Sequence, residues 1–249
     1  MHELIESRWS ARGYDPTATI SADDLTEILE AGRWAATWGK VQPVRFVVGI
    51  RGDTTFTAMT ELLTRGNKPW APAASALVMV CTTDDPDDAK AHDYGAVDLG
   101  LAVAQMSIQA VALGFNAHPM AGFDAEGARV RFAIPDDKRA MVVLAVGRLA
   151  DDPSTLSPEV RERDSLPRRR LPLDEISFAG SWGQAFTTGA LGCHDSGSRA
   201  RRRCRSTVRD RLTGGAVDFK AGGGVHARDD DRSGDALGVA HRTVHPLDR

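Results

Sequence analysis

Apolar residues recur along this chain in two rhythms, and each rhythm predicts an element. Leu25, Ile28, Leu29 and Gly32 fall at helical spacing behind Ser21, Asp23 and Asp24. A capping hydroxyl followed by an acidic first turn favours a helix start, so a helix is predicted to end near Trp34. The string Arg-Phe-Val-Val-Gly-Ile at Arg45–Ile50 is short and β-branched and predicts a buried strand. Residues 56–64 predict a short amphipathic helix closed at Gly66. Residues 76–81 (Ala-Leu-Val-Met-Val-Cys) predict a second buried strand, ended by the turn Asp84-Asp85-Pro86. Residues 94–113 form the longest helical segment, with Gly114 as its C-terminal stop. Its apolar residues (Val97, Leu99, Leu101, Val103, Met106, Ile108, Val111) lie nearly all round, the pattern of a helix covered on several sides. A further short helix is expected at 124–132 and a strand at 141–149. Helices and strands mix without strict alternation, which implies an α+β fold.

Composition narrows the class only slightly. A chain of 249 residues with formal net charge -3 has no overall electrostatic bias toward nucleic acid or membrane. No apolar run approaches the roughly 20 residues that cross a bilayer, and the first residues lack a secretory signal pattern. The expectation is a cytoplasmic protein with neither a nucleic-acid nor a membrane partner. Cys81, Cys193 and Cys204 show no metal-ligand spacing, and Cys81 sits in an apolar run as a small core residue. No metal site is expected.

From Thr187 onward the chemistry changes. There is no Glu, a single Lys (Lys220) and a single aromatic residue (Phe219), while five arginines fall between 199 and 205. Too little apolar matter is present to offset the entropy of ordering. The division expected is a folded domain at 1–186 and a tail at 187–249. The tail is read either as a disordered basic arm or as translation of a GC-rich gene in the wrong frame, and is assigned no function.

Two basic clusters stand out, Arg8-Trp9-Ser10-Ala11-Arg12 and Arg168-Arg169-Arg170. Guanidinium forks match phosphate oxygens in pairs, so the clusters would hold a phosphate monoester if folding brings them together. Between them the chain carries Ala-Ala-Thr-Trp-Gly-Lys-Val-Gln-Pro at 35–43, Asn-Lys-Pro-Trp-Ala-Pro at 67–72 and Pro-Met-Ala-Gly-Phe-Asp at 119–124, and Leu-Pro-Leu-Asp-Glu follows the second cluster. This ordered series resembles the FMN-dependent nitroreductase family, over roughly residues 3–186. The family pattern runs Arg-Arg-Ser-x-Arg-x-Phe, Ala-Pro-Ser-Ser-x-Asn-x-Gln-Pro-Trp, Gly-Gly-Phe-Asp and Arg-x-Arg-x-Pro-Leu.

The resemblance implies a three-layer fold with a central mixed or antiparallel sheet flanked by helices. It also implies an intertwined homodimer, with helix 94–113 at the interface; from sequence alone that helix could equally be the core of a monomer. FMN is the implied cofactor and NAD(P)H the co-substrate, with a nitroaromatic, quinone or similar small molecule as acceptor in a ping-pong sequence. By the family's pattern Arg8, Trp9, Ser10 and Arg12, with Arg168 and Arg170, take the phosphate. Thr37, Trp38, Lys40 and Gln42 lie against the flavin, and Asn67 reaches its pyrimidine side or ribityl chain. Pro119, Met120, Ala121 and Gly122 supply backbone N–H groups to the ring. No catalytic side chain is expected, because the chemistry belongs to the cofactor. His118, beside the last loop, reads as a satisfied loop or surface histidine, with a contact to substrate as the alternative. Departures occur at Trp9, where a charge is missing, at Lys40 in place of Asn, at Val44 in place of Trp and at Ala121 where many relatives have Glu. They leave room for a flavin binder with little turnover, or for other flavin chemistry such as ring fragmentation or dehalogenation.

Overall fold

The computed structural model describes residues 1–39 and 41–186. Lys40 and the whole 187–249 tail, each the subject of an expectation above, lie outside the described residues. Four strands, β1 (Arg45–Ile50), β2 (Ala76–Thr83), β3 (Asn116–Met120) and β4 (Lys138–Gly147), form one antiparallel sheet in the order β1-β2-β4-β3. Helices α1 (Glu3–Ser7), α2 (Ala22–Arg33), α3 (Thr54–Leu62), α4 (Ala89–Ala112), α5 (Ala125–Arg131) and α6 (Pro158–Ser165) complete the unit Met1–Arg170.

Side-chain alternation along β2 builds the three expected layers. Leu77, Met79 and Cys81 point to one face with Phe56 and Met59 of α3 and Ala128 of α5. Ala76, Val78 and Val80 point to the other, with Ile28 of α2 and Leu99, Val103, Met106 and Ala110 of α4. Being covered on both faces, β2 can be apolar at every position, which is why its sequence shows no alternation. By contrast β1 is an edge strand, only half-buried, and not the buried strand its composition predicts.

Capping sets where the helices begin. Ser21 accepts the Asp24 N–H at 3.0 Å and starts α2 as predicted. Asp53 caps α3 and Asp88 caps α4, each through its carboxylate. Helix α4 therefore begins five residues before the apolar pattern does, because its first turn is polar. Gly114, with φ of 78°, supplies the left-handed residue that ends α4. By length and composition this 24-residue helix, with an 18-residue stretch of mean hydropathy 1.3, could cross a bilayer, contrary to the expectation that no segment could. Here one side packs on α2 and the sheet, and Val97 and Leu101 remain 55% and 42% exposed. The helix is thus covered on one side, not several.

Strand β3 was not legible as a strand. Asn-Ala-His-Pro-Met has neither β-branched residues nor an apolar period, and it becomes a strand by pairing with β4. Pro119 is tolerated because β3 lies at the sheet edge. The second unit begins at Leu171. Its described residues include a short helix α7 (Leu173–Ile176), a bridge between Phe178 and Ala185, and the rings of Phe178 and Trp182 at 4.9 Å.

Candidate active site

The segment carrying Arg8, Ser10 and Arg12 is held through its backbone. Trp9 O accepts from Asn116 Nδ2 at 3.0 Å, and Ala11 O lies 2.8 Å from His118 Nδ1, both residues belonging to β3. Asp164 of α6 accepts the N–H groups of Arg12 and Gly13 at 2.9 and 2.8 Å. Tyr14, fully buried, donates its hydroxyl to Ala145 O at 3.1 Å. With the main chain engaged on both sides, the polar side chains are free to face a ligand.

His118 is a buried residue of the core, not a surface or loop histidine. Because Ala11 O can only accept, Nδ1 carries the proton and Nε2 keeps its lone pair. Burial foremost, then the charges of Arg12 and Arg8, hold this imidazole below its usual range, against an opposing contribution from the Ala11 hydrogen bond.

The two basic clusters meet. Arg168 donates to Arg8 O at 2.8 Å and to Glu6 O, and Arg8 Nη1 lies 3.4 Å from Ser10 Oγ. Burial and the neighbouring charges of Arg168 and Arg170 lower the Arg8 pKa. Among the described residues no carboxylate forms an ion pair with Arg8, Arg168 or Arg170. Arg168 is engaged with main-chain oxygens and Arg170 Nη1 donates to Arg169 O at 2.7 Å, so the two clusters together form a positively charged patch suited to an anion.

Arg12 is engaged differently. Its guanidinium sits over the Trp70 ring, 5.8 Å from the centroid, and Asp15 is engaged with Thr17. Trp70 is buried, donates Nε1–H to Gly66 O at 3.0 Å, and packs at 4.5 Å against the His118 ring. Next to it, Asn67 donates Nδ2–H to Gly122 O at 2.9 Å, so this amide supports the 121–122 turn and leaves Oδ1 available. A methyl group on Gly122 would come within 2.7 Å of Asn67 Nδ2 and Thr64 Oγ1, which explains a glycine there. The expectation that Pro119, Met120, Ala121 and Gly122 all offer backbone N–H groups needs correction in two places. Pro119 has no N–H, and both Pro119 and Met120 belong to β3, with the Met120 side chain in the core. Ala121 and Gly122 keep N–H groups past the strand end. Trp9 turns its side chain toward a cavity of about 260 Å³ shared with Leu149, Leu156 and Asp164.

Of the other expected residues, Trp38 is held on α4 and Gln42 on the end of α2. Trp38 donates its N–H to both carboxylate oxygens of Asp98, at 2.9 and 3.1 Å, and its ring stacks on Tyr94 at 5.0 Å and 6°. Gln42 Nε2 donates to Arg33 O at 3.1 Å. Thr37 and Gln42 line a small cavity of about 50 Å³ with Val44, Phe46, Asp98 and Ala102. Among the described residues no hydrogen bond, ion pair or ring contact joins this group to the arginines, Asn67 or Gly122. Within one chain the expected site residues thus form two clusters. Sequence reasoning missed Asp98, Asp164 and Trp70. A carboxylate interrupting the run Val97-Asp98-Leu99 was the one available signal for the first.

The sequence matches the model of the Nitroreductase family over residues 5–61 and 50–148. It is 47% identical over 148 residues to an uncharacterized 15.4 kDa protein of Mycolicibacterium smegmatis, covering 56% of this chain and 98% of that protein. It is 24% identical over 214 residues to YdgI of Bacillus subtilis strain 168, provisionally named an NAD(P)H nitroreductase, covering 70% and 95% respectively. Among solved structures, an oxidoreductase containing FMN superposes with TM-score 0.68 at 30% identity, over 74% of this chain and 93% of that one. A nitroreductase family protein of Clostridium difficile 630 gives TM-score 0.57 at 25% identity, over 73% and 99%. On its sequence, its three-layer fold and these relatives, the chain belongs to the nitroreductase family.

Proposed function

We propose that this chain is an FMN oxidoreductase that passes reducing equivalents from NAD(P)H to a nitroaromatic, quinone or similar small acceptor, the two substrates using one site in turn. The observation that carries the reading is the meeting of the two basic clusters, Arg168 donating to Arg8 O at 2.8 Å and Arg8 Nη1 lying 3.4 Å from Ser10 Oγ, without a carboxylate ion-pair partner among the described residues. That donor set suits a dianionic phosphate monoester. When bound, FMN would supply two-electron chemistry between nicotinamide and acceptor. The chain would hold the phosphate with Arg8, Ser10, Arg168 and Arg170. Arg12, over Trp70, is placed to stabilise negative charge elsewhere on the ligand, and Asn67 Oδ1 with the N–H groups of Ala121 and Gly122 would orient it.

The reading includes a cytoplasmic homodimer. Val97 and Leu101, with Trp34 at 74% exposure and Trp38 and Tyr94 nearby, leave apolar surface uncovered around α4. Pairing two chains there would join the 37–42 segment of one protomer to the arginine cluster of its partner, making one site from the two clusters. The test is the absorbance spectrum of the purified protein, followed by anaerobic addition of NADPH and NADH. A flavin band that either donor bleaches supports the reading. A bound flavin that neither donor reduces would favour a flavin binder with little turnover, and a colourless protein that takes up no FMN would refute the cofactor assignment.

A further inference from the structure

Asp98 is a buried carboxylate in the middle of an apolar helix, 3% exposed. Burying a charge is costly unless it is well hydrogen-bonded. Among the described residues a single group donates to Asp98, the N–H of Trp38, sixty positions earlier in the chain. Four residues before Asp98, on the same face of α4, Tyr94 stacks nearly parallel on the Trp38 ring. Residue 38 is therefore gripped twice from one helix, through its main chain and through its side chain. The next residue, Gly39, takes a positive φ of 66°, so the chain turns immediately after the grip. Thr37 and Gln42 line the small cavity into which Asp98 also faces.

We infer that Tyr94 and Asp98 form a clamp on Trp38 that sets the course of the chain through Thr37–Gly39, and that Asp98 is a positioning residue for the flavin ring. The inference rests on the reading that this segment lies against the flavin. Position, not charge, is what the clamp supplies. An amide oxygen at residue 98 can accept the same Trp38 N–H, whereas a methyl group cannot. Because the segment would meet the ring and not the phosphate, loosening it should weaken FMN and riboflavin by equal factors.

The experiment uses the full chain and the variants Asp98→Ala, Asp98→Asn and Tyr94→Ala. Each is titrated with FMN and with riboflavin, and backbone hydrogen exchange is followed in the flavin-free protein. Losing a charge-assisted bond should weaken both flavins on the order of 10-fold in Asp98→Ala. Exchange should quicken across 37–42 while α4 stays protected, and Asp98→Asn should retain most of the affinity and protection. If Asp98→Ala loses protection throughout, Tyr94→Ala, checked by sedimentation to keep the wild-type oligomeric state, carries the test: a smaller effect in the same direction on exchange and on both flavins. Unchanged exchange at 37–42 overturns the clamp. Quickened exchange with unaltered flavin affinities, or an Asp98→Asn protein as impaired as Asp98→Ala, overturns the positioning role. Wild-type protein that binds neither flavin would instead refute the cofactor reading, and this appears in the first titration before any variant is made.

Discussion

Replacing Arg8 by alanine removes one of three neighbouring guanidiniums that have no carboxylate ion-pair partner among the described residues. In the unliganded protein these charges repel: Arg168 and Arg170 both act to lower the Arg8 pKa, after burial. Deleting Arg8 should therefore leave folding stability unchanged or slightly improved, which is unusual for a half-buried residue that also reaches Ser10. With a phosphate monoester in place the sign reverses. A charge-assisted hydrogen bond contributes about 1.5–3 kcal/mol, so the variant should bind FMN roughly 10- to 150-fold more weakly. Riboflavin, which has the same ring and no phosphate, should bind wild type and variant with similar, weak affinity. The assay is a fluorescence titration of both proteins with both ligands, alongside chemical denaturation of the unliganded forms. Equal losses for the two flavins would mean that Arg8 supports the fold. No loss for either would make the cluster an ordinary charged surface, and the phosphate assignment would fail.

Asp164→Ala should destabilise the protein by about 1–3 kcal/mol, because it strands the N–H groups of Arg12 and Gly13; urea denaturation measures this, and an unchanged midpoint would contradict the anchoring role. His118 is held neutral by burial, so its folded pKa lies below its unfolded value. As pH falls below the unfolded value the denatured chain takes up a proton that the native imidazole resists, and stability declines until the lower native pKa is passed. Denaturation midpoints between pH 7.5 and 5 should show this slope in wild type and lose part of it in His118→Gln; identical slopes would refute it. Leu101→Glu places a charge on the uncovered face of α4, and sedimentation should show monomer with reduced flavin content. A variant that still sediments as a dimer would place the interface elsewhere.

Legibility followed locality. The helices at 22–33 and 125–131 and the strands at 45–50 and 76–83 could be read because capping groups and apolar periods are properties of neighbouring residues. Strand β3 could not, since Asn116, His118 and Pro119 are strand residues only by pairing with β4. The arginines, Asn67 and Gly122 were legible from motif order. Asp98, Asp164 and Trp70 were not, because each acts on a segment far away in the chain: Asp98 on Trp38, Asp164 on Arg12 and Gly13, and Trp70 beneath Arg12.

By itself, then, the sequence determined the layer content, the family and the types of residue available to a phosphate and a flat ring. Those are matters of composition, period and order. Only the tertiary structure decided that Arg8 meets Arg168 while Arg12 lies over Trp70, and that Trp38 is held on α4 by Asp98. The physical reason is that charge convergence and backbone satisfaction depend on distance in space. Loop and sheet geometry set that distance, and no pattern of nearest neighbours encodes it.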